Sequence, residues 1–150
     1  RITKMKICVT GPRFLTPAQC NTVSIIANGY LQSINTKDNP IELNVGDAKG
    51  VDYQIYLVGQ ELNLQIEKHE VEDKTKKFSY AERSMRMVNN SLGGVLLGFP
   101  NEECPKAVTP NNAFCGSGSG TWGTIAYAKY RDLTVVLLPL DTKIKFPSWL

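Results

Sequence analysis

Cys115-Gly116-Ser117-Gly118-Ser119-Gly120-Thr121-Trp122-Gly123-Thr124 alternates glycine with small residues and then enters a helical pattern, Ile125-Ala126-Tyr127-Ala128-Lys129-Tyr130. An apolar, strand-like run over residues 93–100 precedes it. Glycine lets the chain adopt positive φ and lets a ligand approach the main chain. The start of a helix leaves N–H groups unpaired and carries partial positive charge. Strand, glycine loop and helix start in that order suit an anion, most often a phosphate. A Gly/Ser loop is also commonly no more than a flexible connection, so the rest of the chain decides between the two.

At the other end, Lys6-Ile7-Cys8-Val9-Thr10 is an apolar strand pattern stopping at Gly11. Thr16 before Pro17 is a helix start. Val23, Ile26, Ala27, Tyr30, Leu31 and Ile34 then recur at helical spacing, giving a helix of roughly 18–20 residues. After a polar turn over 35–40, Ile41-Glu42-Leu43-Asn44-Val45 reads as a second strand ending at Gly46. Val51, Ile55, Val58 and Leu62 mark a second helix. A charged third strand over 64–71, containing His69, suits a sheet edge. Lys74, Lys76 and Lys77 follow, either as a solvated loop or as an arm reaching for phosphate. Residues 80–92 read as a helix with Met85, Val88 and Leu92 on its inner face and Arg83 in its first turn. The fourth strand, 93–100, is apolar on both faces and therefore central. A long polar loop over 101–117 leads to the glycine segment, and Thr134 opens a fifth strand ending near 140. That strand is apolar for an edge, so a cover is expected, either the 146–150 tail or another subunit.

The alternation of strand and helix argues for a mostly parallel sheet with helices on both faces, in one domain spanning 1–150. In such doubly wound folds ligands bind beyond the carboxyl ends of the strands. Thr10-Gly11, Gly46-Asp47, Arg83 and the 118–121 loop all fall on that rim.

Composition sets the outer limits. The 150 residues are 42% hydrophobic and carry a net charge of +3. No basic stripe stands out, so neither nucleic acid nor a membrane is expected as partner. There is no run long enough to span a bilayer and no secretory apolar segment at the start. Cys8, Cys20, Cys104 and Cys115 form no CxxC pair, and His69 is the one histidine, so no metal site and no cofactor are expected. A reducing cytoplasm fits, with a Cys104–Cys115 disulfide left open. Cys8 reads as a small core residue.

Four segments in order now carry a likeness: Val9-Thr10-Gly11-Pro12-Arg13, Val45-Gly46-Asp47-Ala48-Lys49-Gly50-Val51-Asp52, Glu82-Arg83-Ser84-Met85-Arg86-Met87-Val88, and 118–128. They resemble the SLOG superfamily, which joins the DNA-processing Smf proteins, the LONELY GUY phosphoribohydrolases and small stand-alone bacterial and phage proteins. The small stand-alone branch is the most similar. The resemblance implies a Rossmann-like sheet of order 3-2-1-4-5 that binds a nucleotide or nucleotide derivative. It places Gly11 and Arg13 beside the ligand, next to Thr10, and Gly46, Gly50 and Asp52 in a second loop, where Asp47 puts a negative charge near the pocket. It gives Arg83 a phosphate or sugar contact and has Gly118, Ser119, Gly120 and Thr121 cradle phosphate.

Three positions depart from the family pattern. Asp47 stands where a second glycine is usual, Ser84 where Asn is usual, and Thr124 where the phosphoribohydrolases have Glu. N-glycosidic cleavage benefits from a carboxylate beside the developing oxocarbenium ion. Thr124 cannot supply it, which leaves Asp47 or Glu82 as the catalytic candidates. Asp52 either caps its helix or serves as a further substitute. Arg83 is either a surface ion pair or a ligand contact, and Trp122 either core or a base-stacking face. Gly98 marks a close backbone approach. His69 is expected mid-strand, partly exposed and outside catalysis. The expected function is binding of a nucleotide or nucleotide-derived molecule, as sensor or sequestering protein and in a homo-oligomer. The alternative is a nucleoside-monophosphate N-glycosidase, and DNA handling ranks last.

Overall fold

The computed structural model describes residues 3–150. Nine elements alternate along the chain: β1 (Met5–Thr10), α1 (Pro17–Ile34), β2 (Ile41–Gly46), α2 (Val51–Glu61), β3 (Gln65–His69), α3 (Lys77–Asn89), β4 (Val95–Gly98), α4 (Gly120–Tyr130) and β5 (Thr134–Leu137). The five strands form one sheet in the order β3-β2-β1-β4-β5, and every neighbouring pair is parallel. This is the doubly wound, Rossmann-like α/β fold expected from the strand–helix alternation.

Side chains alternate between the two faces of a strand, so each face has its own core. Ile7, Val9, Leu43, Val45, Leu97 and Phe99 pack with the buried residues of α1 and α2. Cys8 and Leu96 point the other way, toward Val88 of α3 and Trp122, Ile125 and Ala126 of α4. Burying each large aliphatic side chain contributes about 1.5–3 kcal/mol, which fixes the strand register. Cys8 is fully buried, and burial pushes its thiol up to about 12.

Helix α1 begins where the sequence places it. Thr16 Oγ1 accepts from Gln19 N at 3.1 Å, and Gln19 Oε1 accepts from Thr16 N at 3.0 Å. This capping box, with Pro17 behind it, satisfies two N–H groups and is worth about 1 kcal/mol.

The last three strands are shorter than expected: β3 covers Gln65–His69 rather than 64–71, β4 Val95–Gly98 rather than 93–100, and β5 ends at Leu137 rather than near 140. Gly93 lies at φ +81° and turns the chain ahead of β4. A Cβ on Gly94 would strike Lys6 O. At the end of β3 the Val71 amide turns to Asp47 Oδ2 at 3.1 Å, outside the ladder. Gly98 does mark a close approach: a Cβ there would meet Leu137 Cδ2 at 2.9 Å.

Helix α3 departs from the apolar reading. It starts at Lys77, so Arg83 lies mid-helix rather than in the first turn. Its buried residues are Ser79, Arg83, Ser84, Met87 and Val88, whereas Leu92 is 43% exposed. The helix packs over β2 and β3, where the sheet carries polar side chains. His69 is buried there, the last residue of β3, and its Nε2 lies 2.8 Å from Asn44 Oδ1. The expectation of a partly exposed, mid-strand His69 is therefore corrected. Periodicity of apolar residues cannot find a helix face that buries an arginine and two serines.

Phe146 and Trp149 of the tail pack on Trp122 of α4 with ring centroids 6.5 and 6.3 Å away, while β5 keeps its residues exposed or half-buried. Trp149 Nε1 donates to Val108 O at 3.1 Å. The tail thus closes over α4 and the 101–119 loop.

Candidate functional site

The loops at the carboxyl ends of the strands enclose an open cavity of ≈ 830 Å³. One wall is the β1–α1 loop with Thr10, Gly11, Pro12, Arg13 and Phe14. Another is the face of α3 bearing Lys77, Tyr80, Arg83 and Ser84. The third runs from Ala113 through the glycine loop to Thr124. Asp52 reaches it from α2.

The glycine loop delivers the start of α4 to this space. Gly116 and Gly118 lie at φ +82° and +89°, a region costly for residues with a Cβ. Ser119 is the N-cap, and its Oγ accepts from Trp122 N at 3.2 Å. Helix geometry leaves the amides of Gly120 and Thr121 without an intrahelical acceptor. A Cβ on Gly120 would meet nothing within 4 Å, so that corner of the cavity is open.

Arg83 and Asp52, part of a polar cluster, line the same cavity. Arg83 is 8% exposed, and its Nη1 donates to Asp47 Oδ1 at 2.6 Å. The same atom is 4.0 Å from Asp52 Oδ2. Asp52 Oδ2 accepts from Ala48 N at 3.2 Å, bracing the loop before α2. Burial, opposed mainly by Arg83, raises the Asp52 carboxyl to about 6. The Arg83 Nε is buried without a partner, an unmet donor on a side chain that lines the cavity. Leaving such a donor unpaired costs free energy.

Of the residues singled out in the sequence, Thr10, Gly11, Arg13, Arg83, Gly118, Ser119, Gly120 and Thr121 all line the cavity. Gly46, Asp47, Gly50 and Glu82 are not among its lining residues. The two glycines serve packing instead. A Cβ on Gly46 would sit 2.5 Å from Asp52 Oδ2 and 2.6 Å from Arg83 Nη1, and one on Gly50 would collide with Pro12 O. That approach lets Val51 N donate to Pro12 O at 3.1 Å, clasping the first two loops together. Asp47 spends both oxygens, on Arg83 and on the Val71 amide. Glu82 is exposed.

Arg83 is neither a surface ion pair nor a free cation, because its charge is met by the half-buried Asp47 and the buried Asp52. Asp52 caps nothing: the N-cap of α2 is Gly50, with no side-chain hydrogen bond to the helix end. Thr124 is 1% exposed, and its hydroxyl donates to Gly120 O at 2.8 Å. Trp122 is fully buried, and its Nε1 donates to Glu102 O at 2.7 Å, so it is core. Cys104 and Cys115 are half-buried and free.

Sequence reasoning missed the aromatic side of the site. Phe14, Phe78, Tyr80 and Phe114 line the cavity, and the Arg13 guanidinium lies 5.4 Å from the Tyr80 ring centroid. A phenylalanine in the loop directly after β1 was the signal available for Phe14.

No protein-family model matches the chain, and no curated protein matches it in sequence. Solved structures do share its fold. DNA processing protein A (DprA) from Streptococcus pneumoniae superposes with a TM-score of 0.66 at 12% identity, over 93% of this chain and 52% of that one. DNA processing protein A from Helicobacter pylori gives 0.58 at 16% identity, over 94% of this chain and 68% of that one. The chain thus spans about half the length of the pneumococcal protein. The likeness establishes the DprA-type fold.

The Helicobacter protein is described by its single-stranded DNA binding mode. That overturns the expectation that nucleic acid is an unlikely partner, since this same fold supports such binding in that protein. The expectation rested on the missing basic stripe. A stripe is not required where a cavity gathers cations such as Arg13 and Lys77 from separate segments and adds aromatic faces. Among the described residues, no helix is long and apolar enough to cross a membrane, and no cluster of acidic, Cys or His side chains could hold a metal ion.

Proposed function

We propose that the cavity binds a nucleotide or nucleotide-derived molecule through its phosphate, as a sensor or sequestering protein. The observation that carries this is that the start of α4 and Arg83, each with unmet donors, line one cavity. Those donors are the free amides of the helix start and the buried, unpartnered Nε of Arg83. Helix starts favour anions, and charge-assisted bonds to phosphate are the strong ones. The four motif segments support membership of the SLOG group, with the whole chain as one nucleotide-binding domain. Four free thiols fit a reducing compartment such as the cytoplasm.

A second reading is favoured by the Helicobacter structure: the phosphate held here belongs to a strand of single-stranded nucleic acid. The glycosidase alternative is weakened, because Asp47 is committed to Arg83 and Glu82 lies outside the cavity lining. Its carboxylate would have to be Asp52 or Glu102, the two acids that line the cavity.

Calorimetric titration with nucleoside monophosphates and with a short single-stranded oligonucleotide tests the proposal. Binding of the monophosphate supports it. Binding of the oligonucleotide alone favours the second reading, and binding of neither removes the cavity as a phosphate site. Release of free base from the monophosphate would move the assignment to the glycosidase.

A further inference from the structure

Two phenylalanines stand out at the cavity. Phe14 is 79% exposed and Phe78 is 62% exposed, yet both line the same space. They come from different elements, Phe14 from the β1–α1 loop and Phe78 from the first turn of α3. Neither belongs to either core cluster. Exposed rings of this kind contribute nothing to burial and mark a contact surface when they share a pocket.

The other aromatic groups around the cavity are already engaged. Tyr80 carries the Arg13 guanidinium. Phe114 packs on Tyr127 with centroids 6.0 Å apart. Trp122 is fully buried. Phe14 and Phe78 are therefore the rings with faces open to a ligand.

The cavity divides chemically. The start of α4 and the Arg83 side chain supply the polar part of the lining, and the two phenylalanines supply flat apolar faces. A nucleotide divides in the same way, into a charged phosphate and a flat base. The volume of ≈ 830 Å³ lies toward the upper end of the 300–1,000 Å³ typical of small-molecule pockets and leaves room for both.

We propose that Phe14 and Phe78 are base-stacking residues: they hold the base of the nucleotide whose phosphate the 118–121 loop binds. This rests on the nucleotide reading given above and adds the part of the ligand that confers selectivity. Stacking is tolerant of base identity, because every base has a π-face, and it strengthens with ring area. The site then accepts several bases and prefers purines.

The test compares adenosine 5′-monophosphate with ribose 5-phosphate, which keeps the phosphate and sugar and lacks the base. Wild type, Phe14→Ala, Phe78→Ala and the Phe→Trp change at each position are titrated by calorimetry, with light scattering for oligomeric state. Wild type is expected to bind adenosine monophosphate more tightly than ribose 5-phosphate. At least one alanine change should weaken the nucleotide roughly 5- to 150-fold and leave ribose 5-phosphate within about twofold, and tryptophan should restore the nucleotide affinity. Equal loss for both ligands, no loss for the nucleotide in either variant, or a change in oligomeric state alone would overturn stacking. If wild type binds neither ligand, the nucleotide reading itself fails. If it binds the nucleotide and the variants bind as well as wild type, stacking alone fails.

Discussion

Arg83 and Asp47 face each other across 2.6 Å between mid-helix α3 and the end of β2, both nearly buried. The bond takes Nη1 and leaves Nε without a partner. One arginine thus ties a helix to the sheet and also lines the cavity.

Removing the acid from this pair should cost stability first. Asp47→Ala leaves the buried guanidinium with Asp52 alone, at 4.0 Å, and also frees the Val71 amide; breaking a buried pair typically costs about 3–5 kcal/mol. Urea unfolding should show a lower midpoint at an unchanged slope. Unaltered stability together with abolished turnover of a nucleoside monophosphate would instead make Asp47 the carboxylate of a hydrolase.

Gly120→Asp places a carboxylate in open space at the start of α4. The fold should hold, since acidic residues are favourable in a first helical turn. Phosphate binding should fall by about a hundredfold or more, because like charge now meets the ligand. Thr124→Ala serves as the contrast: its hydroxyl is spent on Gly120 O, so nucleotide affinity should stay within about twofold. Undiminished binding in a folded Gly120→Asp protein would take the glycine loop out of the site.

Gly50→Ala should be costly although the change is one methyl group. The new Cβ would collide with Pro12 O, a backbone atom that cannot rotate away. Overpacking of this kind costs about 1–3 kcal/mol. The same collision loosens the clasp holding Arg13, so ligand affinity should fall with stability. Gly120→Ala has no such neighbour and should leave the melting temperature nearly unchanged. Equal melting temperatures for the two variants would contradict this account.

Asp52 gives the fold a pH dependence. Its carboxyl is raised from 3.8 to about 6 by burial, so the folded state holds a proton that the unfolded chain has already released. Its contribution is therefore greatest below about 4 and is lost as pH rises through about 6, a change of about 3 kcal/mol. His69 acts in the opposite direction. Its folded pKa is lowered by burial and by Arg86, so its contribution is lost as pH falls below the ordinary histidine range. Comparing wild type with Asp52→Asn from pH 4 to 7 separates the two. The stability difference between them should change across pH 4–6, and a constant difference would show that Asp52 titrates normally.

The sequence by itself determined the order of elements, the strand that lies at the charged edge, the capped start of α1 and the rim on which the glycines gather. These depend on local spacing: two residues for a strand, 3.6 for a helix, and turn residues between them. Eight of the ligand-site positions named from sequence reach the cavity for the same reason, since the carboxyl ends of parallel strands share one rim.

What only the tertiary structure decided was which polar groups find each other. Asp47 pairs with Arg83 over 36 residues of sequence, and His69 meets Asn44 over 25. Gly46 makes room for an ion pair rather than for a ligand. Phe14 and Phe78 share a cavity only because α3 packs over β2 and β3 and brings its first turn to the β1–α1 loop. Pairings of this kind depend on helix placement across the sheet, which no local period encodes. The inner face of α3 was misread for that reason: its burial is set by partners on other strands, not by its own apolar pattern.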